Sequence, residues 1–479
     1  MSDRSSLSAA PWCPSPHRRS AGAANPAPPA YPRTPTVHSP SSVRHRLAGA
    51  GWLAAVALAL PPAEAPAAVD AAPRVLHLEE AVQQALQQQP SLAAAQASVG
   101  AAQGQSEQAR ASLLPQLSAS ALAQRYYGAT GSRTGAATGV AGTVTANNFT
   151  FGLSGTQLIW DFQSVDRLRS SNANVASLQA TEQATQLQVI LNVRRAFFQA
   201  QAYRALVQVQ DETLDNQIKH QVQTEGFVKA GTQPEIALAQ ARTNVANARV
   251  SLIQAQNNYR ISKAQLNQAI GVVQGTDYEV AREELPPVGD ENQPVESLMA
   301  VALKERPEIA SLVQNRDAQE LALHAAQGGY FPALSIFGSV AEAGSALDAL
   351  GPAWNFGLQI TWSFFDGLRT PGVVRQAQSN VAAASAQLTL EELQVRFDVE
   401  QADATLEGSK TSLTAAEDAL VNAREQLRLA EARYQTGVGS IIELSDAQVA
   451  ATNAGAQLVQ ARYNLATARA QLLAALGRR

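Results

Sequence analysis

Apolar and polar residues alternate along this chain with two different periods. Leu238, Ala241, Val245, Ala248, Leu252, Ala255, Tyr259, Ser262, Leu266 and Ala269 step by three and four, and so do Leu444, Ala447, Ala451, Ala454, Leu458, Ala461, Leu465, Ala468, Leu472 and Ala475. A third run is Leu413, Ala416, Leu420, Ala423, Leu427, Ala430 and Tyr434. Such steps keep one stripe of a helix apolar, and alternating large residues with alanine lets helices approach closely as coiled coils. Other segments alternate with period two, which predicts strands: Leu117 to Tyr126, Phe149 to Trp160, Phe331 to Val340 and Trp354 to Phe365. The last is clearest, with Phe356, Leu358, Ile360, Trp362 and Phe364 on one face and Asn355, Gly357, Gln359, Thr361 and Ser363 on the other.

This order of segments runs twice, over residues 70–271 and 296–479, around a linker at 272–295. The first copy places strands near 115–127 and 148–160 and a helix-hairpin tip near 229–235. The second places them near 331–342 and 354–365, with its tip near 435–440. Pro90 and Pro115 return as Pro307 and Pro332. Pro115 and Pro332 stand where helix gives way to strand, because proline lacks the N–H that continues a helix and disfavours α geometry in the residue before it. Asp161 and Asp366 each follow an aromatic residue at the opposite, strand-to-helix joints. From Asp161 to Gly231 a continuous helix would reach roughly 105 Å at 1.5 Å per residue. The segments 78–111 and 233–270 are each about half as long, so stacked end to end they match it.

Each strand segment has the length of a tilted membrane-spanning strand, and Tyr126, Tyr127, Trp160, Phe331, Trp354 and Phe365 at their ends suit interfacial girdles. No later stretch is apolar enough for a membrane-spanning helix. Residues 1–46, rich in Pro, Ser and Arg, read as a disordered extension or a mis-called start. Residues 47–69 read as a signal peptide: Arg44-His-Arg46, an apolar run from Leu47 to Leu60, then Ala65-Pro-Ala67. Export is expected, with the mature chain starting between about Ala68 and Ala72.

The single cysteine, Cys13, excludes intrachain disulfides, and with no apolar run before it does not read as a lipid anchor. Lysine and arginine total 36 against 40 acidic residues, and no basic patch points to nucleic acid. The six histidines are scattered, and no metalloprotease, hydrolase, phosphate-loop or dinucleotide fingerprint appears. Neither an enzyme nor a cofactor or metal site is indicated. Four lipid-facing strands leave two open edges, which a bilayer does not tolerate, so the barrel is expected to close by oligomerisation, with eight strands from two chains or twelve from three.

The doubled plan, the paired prolines, the joints Trp160-Asp161-Phe162 and Phe365-Asp366-Gly367, and the tip Tyr434-Gln-Thr-Gly437-Val-Gly439-Ser440-Ile-Ile-Glu443-Leu-Ser-Asp446 resemble the TolC family of outer-membrane efflux proteins. The resemblance covers essentially residues 78–477. It implies a mainly α fold with membrane β structure: a homotrimer whose twelve-stranded barrel in the outer-membrane lipid continues as a coiled-coil α-barrel in the periplasm. It further implies docking to a periplasmic adaptor and an inner-membrane pump of RND or ABC type, in multidrug efflux or type I secretion. The adaptor-docking tips then map to Gly231, Thr232 and Glu235 and to Gly437, Val438, Gly439 and Ser440, residues that plain helix-ending turns also explain. Glu443 and Asp446 match the acidic positions of a periplasmic gate, and Tyr434 a tyrosine of its lock. Gly439 replaces a locking arginine. A solvated helix start accounts for the same acids. The competing reading is a periplasmic coiled-coil adaptor or scaffold without its own pore.

Overall fold

A computed structural model describes residues 74–130, 142–273, 275, 277–289 and 291–479; the leader and the expected start of the mature chain lie outside these. The chain opens with β1 (Arg74–Leu76), α1 (Leu78–Gln88) and α2 (Pro90–Ala111). A hairpin of β2 (Gln116–Thr130) and β3 (Gly142–Trp160) follows, then the 68-residue α3 (Phe162–Lys229) and α4 (Glu235–Ile270). After β4 (Tyr278–Val280), the order recurs as α5 (Val295–Glu305), α6 (Pro307–Gly328), β5 (Ala333–Gly344), β6 (Gly351–Thr361), the 67-residue α7 (Arg369–Gln435) and α8 (Ile441–Ala475). At 1.5 Å per residue, α3 and α7 each run about 100 Å.

Local chemistry sets these boundaries. Pro90 and Pro307 occupy the first turns of α2 and α6, where a missing N–H costs nothing. Pro90 breaks what the sequence suggests as one helix over 78–111 into two, and Pro307 separates α5 from α6 in the same way. Pro115 and Pro332 directly precede β2 and β5. Asp161 caps α3, its carboxylate accepting from the amides of Gln163 at 3.0 Å and Ser164 at 3.2 Å. Asp366 accepts from the Thr370 amide at 2.9 Å, but α7 starts only after Gly367 and Leu368, both left-handed.

The predicted heptads are the packed faces: Ala241, Val245, Ala248, Leu252, Ser262 and Leu266 of α4 are buried, as are Leu444, Ala447, Ala454, Ala461, Ala468 and Leu472 of α8. Toward the tips the helices pack in the order α4, α3, α8, α7; toward the strands the order is α2, α3, α6, α7. The long helices thus run through both levels. The edge helices leave apolar residues uncovered, among them Ile236, Val250 and Ile253 on α4 and Leu393, Phe397 and Val421 on α7.

The two levels meet in one joint. Gly271 and Gly477, with φ of +87° and +74°, end α4 and α8 against the α1–α2 and α5–α6 breaks. Side chains from those breaks satisfy the last carbonyls. Gln89 Nε2 donates to Ala269 at 2.9 Å, and Arg306 Nε donates to Ala475 at 2.7 Å while its Nη1 meets Asp398 at 2.9 Å. Phe197 and Phe198, edge to face, anchor the apolar core beneath. β1 and β4 pair in parallel beside it, and the linker is pinned by Glu291, which meets Lys410 at 2.8 Å and Arg469 at 3.3 Å.

Burial pushes the Glu291 carboxyl up, but hydrogen bonds from Lys410, the Val288 amide and Arg469 outweigh it and hold the group below the ordinary value. A depressed folded-state pKa gives stability that is present above the unfolded value of about 4.3 and lost as pH falls through the folded one. Glu291→Gln is therefore expected to lower the melting temperature at pH 7, with the gap to the parent closing below about pH 4. Melts across that range decide it, since a gap independent of pH excludes the charge.

Several strand boundaries differ from the alternation. β6 stops at Thr361, not at Phe365, because Trp362 turns its ring N–H to the Tyr330 carbonyl at 3.1 Å and the chain bends into the Gly367–Leu368 turn. β2 and β3 extend beyond the expected 115–127 and 148–160 into the Gly, Thr and Ala-rich tract between them, Thr130 pairing with Gly142. Small residues alternate too weakly to reveal their pairing.

Candidate functional site: a two-faced sheet and two helix tips

The four long strands form one antiparallel sheet in the order β2-β3-β5-β6. Register assigns its faces. Trp354, Phe356, Leu358 and Ile360 stand opposite Val340, Gly338, Ile336 and Leu334, and beyond them lie Leu153 and Leu117 with their neighbours. The other face carries Asn355, Gln359 and Thr361, then Ser335 and Ser339, then Thr150, Ser154 and Thr156, then Ser118, Ser120 and Gln124. Hydroxyls and amides on it bond across strands, Ser118 to Ser154 at 2.7 Å and Ser339 to Asn355 at 2.8 Å. Leu122, Leu158 and Phe337 are large apolar members of it, and the Phe337 ring covers Gly357, where a Cβ would lie 3.0 Å from it.

A bulge at Ile159 makes Trp160, rather than Ile159, the partner of Leu334 and so returns the tryptophan to the apolar face. The period-two pattern could not show this, because the extra residue shifts its phase. Neither β2 nor β6 has a neighbour on its outer side among the described residues. Trp354, Phe356, Leu358 and Ile360, on that open edge, are each at least 70% exposed in the single chain.

At the far end, the first tip is a turn from Ala230 to Pro234. Gly231 is left-handed at +74°, and the Thr232 amide and hydroxyl both reach the Phe227 carbonyl at 3.0 Å. Glu235 opens α4. The second tip turns through Gly437 at +77°, and the exposed Val438 and Gly439 both donate their amides to the Arg433 carbonyl. This folds Gly439 tightly onto the end of α7: a Cβ there would lie 2.9 Å from the Tyr434 nitrogen. Any side chain at 439 would thus require this backbone to shift. Ser440 caps α8, accepting from the Glu443 amide at 3.1 Å.

Tyr434 is wholly buried, its hydroxyl 2.8 Å from that of Thr224 and its ring edge-on to Phe227. It fastens α7 to α3 of the same chain and does not line the tip surface. Glu443 meets Arg433 at 3.2 Å across the turn, whereas Asp446 is exposed and has no partner among the described residues. Above Tyr434 a polar seam ties α3 to α7 and α8: His220 to Glu431 at 3.4 Å, Gln217 to Gln448 at 2.6 Å and Thr213 to Thr452 at 3.0 Å. Sequence reasoning missed this seam, although Thr213, Gln217, His220 and Thr224 step by four, three and four. A search for apolar heptads passes over polar ones.

The family model described as "Outer membrane efflux protein" matches residues 81–272 and 298–478. The chain belongs to this outer membrane efflux protein family. This efflux protein is 29% identical over 429 residues to outer membrane protein TolC of Escherichia coli K12, across 84% of this chain and 82% of that one. It is 27% identical over 322 residues to the cation efflux system protein CusC of the same strain, across 64% and 68%. Its fold superposes on the Campylobacter jejuni CmeC outer membrane channel with a TM-score of 0.75 at 20% identity, covering 84% and 85% of the two chains. The efflux protein is accordingly a protein of the outer membrane, with its helices on the periplasmic side.

Proposed function

We propose that three copies of this chain close the open sheet into a twelve-stranded barrel whose apolar face meets lipid and whose hydroxyl and amide face lines a water-filled duct. The observation that carries this reading is the four-stranded sheet with unlike faces and two unpaired edges, since backbone groups left open cannot be sustained in a bilayer. The helices support it: the edges of the wall, α2 and α4 on one side and α7 on the other, fall on the same sides as β2 and β6. A head-to-tail contact of this kind generates a ring. The two halves of each chain then act as repeats in a pseudo-sixfold wall, with 272–295 as its equatorial band.

The duct carries substrates passively across the periplasm and outer membrane, driven by an inner-membrane pump of RND or ABC type, and its tips dock to a periplasmic adaptor. Heat-modifiable migration as a trimer and single-channel conductance in planar bilayers are expected. A soluble periplasmic monomer without conductance would favour the pore-free scaffold instead.

Glu443 and Asp446 gate the entrance in this reading, because threefold repetition sets their carboxylates around the axis, favouring cations. Arg433 partly neutralises Glu443, so most of the effect rests on Asp446. Replacing both acids with Ala is expected to raise basal conductance and weaken block by divalent cations, and Asp446→Asn alone to reproduce most of that loss of block. Unchanged block in the double variant rejects the gate.

A further inference from the structure

The edge helices of the wall carry opposite net charge. On α4, Arg242, Arg249, Arg260 and Lys263 stand against Glu235 alone, whereas acids outnumber bases on α7. Arg249 follows Arg242 by seven residues and Arg260 follows Arg249 by eleven; together these make five turns of 3.6 residues and put the three on one stripe. On α7, Glu407, Asp418 and Glu425 repeat the same intervals in reverse order, eleven and then seven. Two antiparallel helices can therefore set Arg242 beside Glu425, Arg249 beside Asp418 and Arg260 beside Glu407 in a single register. Within one chain α3 and α8 lie between α4 and α7. Arg249, Arg260, Glu407 and Asp418 are exposed, and none forms an ion pair among the described residues.

The intrachain seam between α3 and α8 supplies the geometry. Thr213 meets Thr452 at 3.0 Å and Gln217 meets Gln448 at 2.6 Å, so these two helices run antiparallel. Gln201, Glu212, Gly455 and Ala466 line one groove along that seam, about 710 Å³ in volume. They stand 206 residues from Glu407, Asp418, Arg249 and Arg260 respectively, the interval that also separates Gly231 from Gly437 and Gly271 from Gly477. Small side chains leave the groove open inside the chain. Arginines and carboxylates take the corresponding places on its two free edges.

We propose that α4 of one copy and α7 of the next lie in this register, joined by an ionic ladder of Arg249 to Asp418 and Arg260 to Glu407, with Arg242 to Glu425 as the rung nearest the tips. The partner is a second copy of this chain, and the ladder rests on the ring proposed above. Glu425 already meets Arg428 at 2.6 Å, so the other two rungs carry most of the selectivity. Charges flanking a helix seam choose partner and register, because a slipped pairing leaves like charges opposed or ions unmatched.

The test uses the full chain with Cys13→Ser in detergent, its assembly state measured by light scattering. Arg249→Cys with Asp418→Cys, and separately Arg260→Cys with Glu407→Cys, are expected to join copies into dimer and trimer bands with a short bismaleimide. Arg249→Cys with Glu407→Cys, about 16 Å out of register at 1.5 Å per residue, is expected to give none. A trimer in which the mismatched pair links as well as the matched ones, or in which no pair links, overturns the register and leaves the ring standing; a monomer removes both. Charge reversal separates ion pairing from proximity. Arg249→Glu with Arg260→Glu should lose most of its trimer, and adding Asp418→Arg with Glu407→Arg should restore it. No loss, or loss without restoration, overturns the ladder.

Discussion

Replacing Tyr434 with alanine is expected to open the second tip. The side chain is fully buried among Ala430, Leu444 and Ala447, with Phe227 and Leu427 against it. Truncating a buried aromatic of this size costs about 3–5 kcal/mol. Here the loss is local, because Tyr434 is the largest member of a small apolar cluster that joins α3, α7 and α8 below the polar seam. Amide exchange over residues 427–447 should accelerate markedly, and in planar bilayers the basal conductance should rise, if the tips form the entrance. Tyr434→Phe keeps the packing and removes only the bond to Thr224, worth about 1 kcal/mol. A tip whose exchange is unchanged by Tyr434→Ala would show that the cluster does not hold it. Faster exchange with unchanged conductance would leave the cluster intact as an explanation and remove the tip as the constriction.

The same residue shows how far the sequence could be read. Tyr434 ends the heptad run that begins at Leu413, and that run alone predicts a packed position, which it is. Its hydroxyl partner Thr224, two hundred residues earlier, lies on the polar run Thr213, Gln217, His220, Thr224, whose helical spacing a search for apolar positions passes over. The sheet was legible for a similar reason: its two faces meet different surroundings, so β6 alternates cleanly from Trp354 to Ile360. Where the alternation continued past Thr361 the backbone did not, because bending into a left-handed turn leaves side-chain polarity unchanged. The Ile159 bulge and the Ser440 cap fall on opposite sides of this line. A bulge is decided by pairing with a distant strand, whereas Ser440 before Glu443 is a local capping signature.

Glycine supplies the second large effect, and a built-in control. Gly231, Gly271, Gly437 and Gly477 end α3, α4, α7 and α8 with φ between +74° and +87°, so an alanine at any of them meets a left-handed penalty of about 1–2 kcal/mol. Their surroundings differ. At Gly231 and Gly437, in the tips, a Cβ would meet nothing within 4 Å. At Gly271 it would lie 2.9 Å from the Gln88 carbonyl oxygen, and at Gly477 3.0 Å from the Arg306 nitrogen and Cα. Those are backbone atoms at the helix breaks where the half-length helices are stacked end to end, and they cannot swing aside. Gly271→Ala and Gly477→Ala should therefore each cost several kcal/mol, on the order of a badly overpacked core site, and separate α4 from α1 or α8 from α5. Gly231→Ala and Gly437→Ala should each cost only the backbone penalty. The measurement is the melting temperature of the assembled protein with all four variants side by side. Equal losses at tip and joint would mean that end-to-end stacking contributes nothing, and that the joint is held by Gln89, Arg306 and the Phe197 core without close backbone contact.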